Sequence, residues 1–146
     1  MEPQVYFDDV QVGDPLPPLE KRLTTRQLVM YAGASGDFYP IHYDLEFARA
    51  QGLPGVIVHG ALKNAFLGQL ATDWMGPEGT LVELSARYRE MDVAGDTLTC
   101  RGTVVEKRSE SGRHLVRCEL WAENGKGVRT TTGEALVSLP LRGASA

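Results

Sequence analysis

Eleven residues, Ala32-Gly-Ala-Ser-Gly-Asp-Phe-Tyr-Pro-Ile-His42, place a carboxylate, Asp37, and an imidazole, His42, five positions apart on either side of a proline. A carboxylate and an imidazole held close together can pass a proton to and from a bound water or a carbon acid. Further along, His59-Gly60 opens an apolar segment with helical spacing. The start of a helix offers backbone N–H groups without intrahelical partners, which stabilise charge developing on an oxygen. Two proton-transfer groups and an oxyanion donor are the parts needed to add water to, or remove it from, an activated carbon chain. The spacing alone also allows a second reading, in which Gly36-Asp37 is a turn and His42 is a polar side chain satisfied by backbone.

The elements that must position these residues are legible around them. Thr24 or Thr25 can cap a helix whose apolar positions Leu28, Tyr31 and Ala32 recur at three and four, and Gly33 or Gly36 can end it. Asp44 can cap a short second helix through Leu45, Phe47 and Ala48, stopped by Gly52 and Pro54. Asp37 thus follows one helix and His42 precedes another, on a constrained connection of the kind that holds catalytic groups. A third helix, Gly60 to Trp74, is apolar nearly all round, which marks a buried helix.

The second half reads as strands. Val82, Leu84, Ala86 and Tyr88 alternate with Glu83, Ser85, Arg87 and Arg89, the period of a strand with one wet face. Strands over 96–107 and 114–123 follow, joined by the turn Arg108-Ser109-Glu110-Ser111-Gly112. The last strand, 128–139, changes parity, and a β-bulge at Gly133 would reconcile its halves. Residues 1–18, with prolines at 15, 17 and 18, read as an irregular lead before a short strand from Leu19 to Leu23.

Composition sets the context. The 146 residues, 42% hydrophobic and 23% charged, suffice for one sizeable core, so a single domain over 1–146 is expected. A net charge of -4 without a basic cluster excludes an electrostatic footprint for nucleic acid. There is no apolar run of the ~20 residues that span a bilayer, and the first residues lack the order of a signal peptide, so a cytoplasmic location is expected. Cys100 and Cys118 have no metal-ligand spacing and read as reduced core thiols. No phosphate-binding glycine loop, metal cluster or redox motif is present in the sequence, so neither a metal nor a bound redox cofactor is expected.

An α+β chain with at least four long antiparallel strands and one all-apolar helix buries the helix by curling the sheet around it, the hot-dog fold. The open sheet edge predicts a dimer that pairs two sheets.

Tyr31-Ala-Gly-Ala-Ser-Gly-Asp-Phe-Tyr-Pro-Ile-His42 resembles the signature of the MaoC-like hydratases, the (R)-specific enoyl-CoA hydratases and hydroxyacyl-thioester dehydratases, in which an aromatic residue precedes Ser-Gly-Asp-x-Asn-Pro-hydrophobic-His. Val12-Gly13-Asp14, Val58-His59-Gly60-Ala61 and Val93-Ala94-Gly95-Asp96-Thr97-Leu98 resemble three further islands of that family, in the same order. The resemblance implies that Asp37 and His42 form the catalytic dyad and that the Gly60 N–H faces the thioester oxygen. It implies an acyl-CoA or acyl-carrier-protein thioester as substrate and (R) stereochemistry. Tyr39 stands where the family has Asn, beside the site, and Tyr39 and His59 are its candidate substrate contacts; His59 is also read as packing at the helix start.

Two other readings compete. A hot-dog thioesterase, or a dehydratase of the bacterial fatty-acid type, places its carboxylate on the central helix, and here the only acid on that helix is Asp73, near its far end. A non-catalytic subunit paired with an active relative needs neither Asp37 nor His42, although Tyr39 is compatible with it. A homodimer, a dimer of dimers and a heterodimer all remain open.

Overall fold

The structure is a computed structural model that describes residues 3–143. After a 3₁₀ turn at Phe7–Asp9, the chain forms β1 (Pro15–Arg22), α1 (Thr25–Ser35), a second 3₁₀ turn (Pro40–His42), α2 (Leu45–Ala50) and α3 (Gly60–Met75). Four strands follow, β2 (Thr80–Tyr88), β3 (Thr97–Glu110), β4 (Arg113–Glu123) and β5 (Arg129–Ser138). They join β1 in one antiparallel sheet of order β1-β3-β4-β5-β2. Helix α3 packs against all five strands, the arrangement of a hot-dog fold.

The packing follows from the sequence pattern. Leu62, Phe66, Leu67, Leu70 and Ala71 of α3 are buried against Leu98, Cys100 and Val104 of β3, Val116, Cys118 and Leu120 of β4, and Ala135 and Val137 of β5. Each large apolar side chain so buried contributes about 1.5–3 kcal/mol. Leu67 is completely buried, and truncating it to alanine would cost about 2–5 kcal/mol. Both cysteines are free and buried among these residues; burial pushes the Cys100 thiol up to about 11 and the Cys118 thiol up to about 12, which keeps them as inert protonated thiols.

The caps are those expected. The Thr24 hydroxyl accepts from the Gln27 N–H at 3.1 Å to start α1, and Gly36 ends it in the left-handed region at φ 77°. Asp44 starts α2 by accepting from the Phe47 N–H at 3.0 Å.

Three expectations about strands are corrected. β1 begins at Pro15 inside the supposed irregular lead, because an edge strand tolerates prolines and the pairing with β3 slips between Leu16 and Leu19 to accommodate them. β3 runs on to Glu110, leaving only Ser111 and Gly112 in the turn, both at positive φ, which suits a two-residue hairpin. The bulge of β5 lies at Thr130, where Ala122 faces Thr131 and Glu123 faces Arg129, while the register is continuous across Gly133. Gly133 serves a different need: a Cβ there would come within 2.2 Å of the Ser85 carbonyl oxygen and 3.2 Å of the Leu67 side chain.

Candidate active site

The connection between α1 and α2 folds Asp37 back toward His42. The Asp37 N–H donates to the Ser35 hydroxyl at 3.2 Å, and Asp37 Oδ1 accepts from the Tyr39 N–H at 3.3 Å, so the loop is fixed by its own short polar side chains. Pro40 then sets the 3₁₀ turn that presents His42. His42 Nε2 lies 3.7 Å from Asp37 Oδ2; the imidazole is buried and the carboxylate half-exposed. At that separation both atoms can touch one water or one reacting group.

The other His42 nitrogen fixes the tautomer. Nδ1 is 2.7 Å from the carbonyl oxygen of Ile57, and a carbonyl only accepts, so Nδ1 carries the hydrogen and Nε2 keeps its lone pair for chemistry. The Ile57 N–H in turn donates to the Ile41 carbonyl at 3.0 Å. On its other side the same segment is held by the Val58 N–H donating to the Asp92 carbonyl at 2.9 Å and the Ala94 N–H donating to the Val56 carbonyl at 3.0 Å. Residues 56–58 thus form a braced strip between the dyad loop and the turn after β2.

That strip leads directly into α3. The N–H groups of Leu62 and Lys63 both donate to the His59 carbonyl, which leaves those of Gly60 and Ala61 as the unpaired donors of the first turn. The positive end of the helix dipole lies at the same place. Gly60 lies close under the Tyr88 ring, which a Cβ would approach to 2.9 Å. His42, Gly60, Lys63 and Tyr88 line an open cavity of about 600 Å³, completed by Pro54, Ile57, Val58 and the turn Arg89–Met91 with Val93. Burial raises the Tyr88 phenol above its usual value, with Tyr31 acting in the same direction. A second, more apolar cavity of about 260 Å³ lies along α3 at Leu70, Asp73 and Trp74 and is lined by neither Asp37 nor His42 nor Gly60.

Among the five candidate site residues, His42 and Gly60 line one cavity, and Asp37 stands beside it with its carboxylate 3.7 Å from His42 Nε2. Tyr39 stands edge-on to His42 with ring centroids 6.4 Å apart, is half-exposed, and does not line the cavity. His59 is not on the cavity wall. It is 1% exposed, stacked behind His42, with Nε2 3.2 Å from the Asp37 carbonyl oxygen. Burial holds its imidazole below the ordinary histidine value; the bond to the Asp37 carbonyl opposes this, and His42 adds to it.

Asp37, His42 and His59 also offer ligand atoms within 4.8 Å of one another. They suit a shared metal ion poorly. Ring nitrogens donate in the plane of the ring, and two rings 3.7 Å apart and 18° from parallel cannot both aim at an ion about 2.0–2.1 Å away.

Sequence reasoning missed a buried polar cluster under the cavity. Lys63 Nζ donates to Asp92 Oδ2 at 2.9 Å and to the Glu90 carbonyl at 2.8 Å, and the Thr130 hydroxyl donates to Asp92 Oδ2 at 2.7 Å. All three side chains are buried. The one available signal was a lysine in the first turn of an otherwise apolar helix.

Comparison with known proteins agrees with this fold. Residues 9–126 match the family described as the MaoC like domain. The (R)-specific enoyl-CoA hydratase of Rhodospirillum rubrum is 29% identical over 143 residues, covering 94% of each chain. The R-hydratase PhaJ1 from Pseudomonas aeruginosa superposes with a TM-score of 0.86 at 26% identity, covering 94% of this chain and 87% of that one. A chain of the ChsH1-ChsH2 complex from Mycobacterium tuberculosis gives a TM-score of 0.79 at 26% identity over 88% of this chain and 98% of that one. With residues 9–126 matched by the family and the fold shared with such relatives, the chain belongs to the MaoC-like domain family.

Proposed function

We propose that the protein catalyses the reversible hydration of trans-2-enoyl thioesters to (3R)-3-hydroxyacyl thioesters. The observation that carries this reading is that Asp37 stands 3.7 Å from His42 Nε2, and that His42 lines the same cavity as Gly60, whose N–H has no intrahelical partner. In hydration, a water between the two groups gives a proton to His42 Nε2 while its oxygen bonds to the β-carbon, with Asp37 stabilising the imidazolium that forms. Electron density moves onto the thioester oxygen, where the Gly60 N–H and the helix dipole receive it. The dyad then returns the proton to the α-carbon, so one water is consumed and the enzyme ends unchanged. Dehydration is the reverse.

The (R) configuration and the coenzyme A thioester are supported by the named activity of the Rhodospirillum rubrum relative, and an acyl-carrier-protein thioester offers the same reacting atoms. Arg89 on the cavity rim is a suitable partner for a substrate phosphate. Among the described residues no helix is long and apolar enough to cross a membrane, and the buried free thiols fit a cytoplasmic enzyme. β2 is an edge strand whose outer ladder suits pairing with a second subunit, a like copy or a related chain.

A second reading, a non-catalytic partner subunit, is favoured by one observation: Tyr39 replaces the family Asn and sets a phenol edge-on to His42. Purified protein with short and medium trans-2-enoyl-CoA substrates, followed by loss of the enoyl absorbance and by the configuration of the product, separates the two. Formation of (3R)-3-hydroxyacyl-CoA is expected. Inactivity at every chain length, with activity recovered only on adding a related subunit, supports the partner reading.

A further inference from the structure

His59 has no part in the proton transfers above, yet it touches both members of the dyad. Its Nε2 lies 3.2 Å from the Asp37 carbonyl oxygen, which only accepts, so Nε2 carries the hydrogen and Nδ1 the lone pair. That Nδ1 is buried and has no hydrogen-bond partner. One face of the ring lies against His42, with centroids 3.7 Å apart and planes 18° from parallel, and Tyr31 of α1 meets it edge-on at 4.8 Å. The titratable groups facing His59 are therefore Tyr31, Asp37 and His42.

A buried nitrogen without a partner is a cost that a leucine at this position would avoid. Packing alone does not account for an imidazole here, because the ring makes one directed hydrogen bond, and that bond goes to the backbone of the residue bearing the reactive carboxylate. When His42 holds the proton during turnover, an uncharged π-face against it is favourable, whereas a second charged ring would oppose it.

We propose that His59 is a positioning residue for the dyad, anchoring the Asp37 backbone through Nε2–H and backing the His42 ring so that Nε2 of His42 stays turned toward Asp37. This rests on the hydratase reading for its kinetic consequences but not for its structural ones. His59 touches neither substrate nor cavity, so its loss acts on kcat rather than on binding.

The test compares His59→Leu, which removes both contacts, with His59→Gln, which can keep the donor to the Asp37 carbonyl. With enoyl-CoA as substrate, His59→Leu is expected to lower kcat by about a hundredfold with KM changed by no more than about twofold, and His59→Gln to recover about tenfold of that loss. Without substrate, ¹⁵N NMR of the imidazoles is expected to show His42 as a single Nδ1–H tautomer in the native protein and as a mixture in His59→Leu. A folded His59→Leu protein with native kcat and a single His42 tautomer overturns the proposal. So does a raised KM at unchanged kcat, which would make His59 a substrate contact. If His59→Leu fails to fold, His59→Gln decides, since loss of the stack must still lower kcat and mix the His42 tautomers, and native values for both overturn it. The NMR arm needs no turnover, so an inactive native protein would sink the hydratase reading and leave this one to be judged on the tautomer.

Discussion

His42 Nδ1 donates to the Ile57 carbonyl at 2.7 Å, three residues before Gly60, so the imidazole proposed to move the proton and the helix start proposed to receive the negative charge are fixed to one peptide strip. Preorganisation of this kind keeps a catalytic arrangement from having to be assembled at the moment of reaction. It also makes the site sensitive to changes along that strip.

Gly60 is the first such point. In Gly60→Ala the new methyl meets the Tyr88 ring at 2.9 Å, and Tyr88 is half-exposed and can swing outward, so the fold should survive. The N–H remains, but the approach of a thioester oxygen to it is blocked. We expect kcat/KM to fall about tenfold to a hundredfold with the melting temperature nearly unchanged, read by steady-state kinetics beside thermal unfolding.

Lys63 and Asp92 brace the same strip from below, and their side chains are respectively 3% and 1% exposed. Removing one partner leaves a buried charge uncompensated. Lys63→Met should therefore cost about 3–5 kcal/mol in urea denaturation, whereas Lys63→Met with Asp92→Leu should cost clearly less, because no charge is left behind. Equal losses in the single and double variants would show that the cluster acts through packing alone.

The contrast between these two points explains what could be read from the chain. Asp37, His42 and Gly60 were legible because each sits beside a local signal: a glycine helix end, a proline turn, an apolar helix beginning. Lys63, Asp92 and Thr130 were not, since Asp92 lies 29 residues from Lys63 and 38 from Thr130, and a lysine on a helix reads as a wet position until its partners are placed. The hot-dog fold followed from one all-apolar helix beside alternating strands. The bulge was misplaced because glycine signals both a bulge and a close backbone approach, and Gly133 is the second kind, under the Ser85 carbonyl. From sequence His59 is a candidate substrate contact or a helix-start residue; its stacking against His42 depends on the strip that joins two distant loops, which no local signal shows.

His59 also sets a pH dependence of stability. Burial lowers its folded-state value below the ordinary ~6.5 of an unfolded chain, so below that pH the unfolded protein binds a proton that the folded protein refuses. Stability should therefore fall as pH drops below ~6.5 toward the folded-state value, with no contribution from His59 above it. Denaturation midpoints at pH 8 and pH 5 are expected to lie closer together in His59→Gln than in the native protein. An identical pH dependence in the two would contradict the assignment.

In the proposed hydration Asp37 and His42 act as one device, which the kcat values of Asp37→Asn, His42→Ala and the double variant test most directly. Each single change should lower kcat by about a hundredfold to ten-thousandfold with folding intact, and the double variant should be little worse than the poorer single one. Full native turnover in either single variant, or losses that multiply in the double, would show that the two residues do not share the proton.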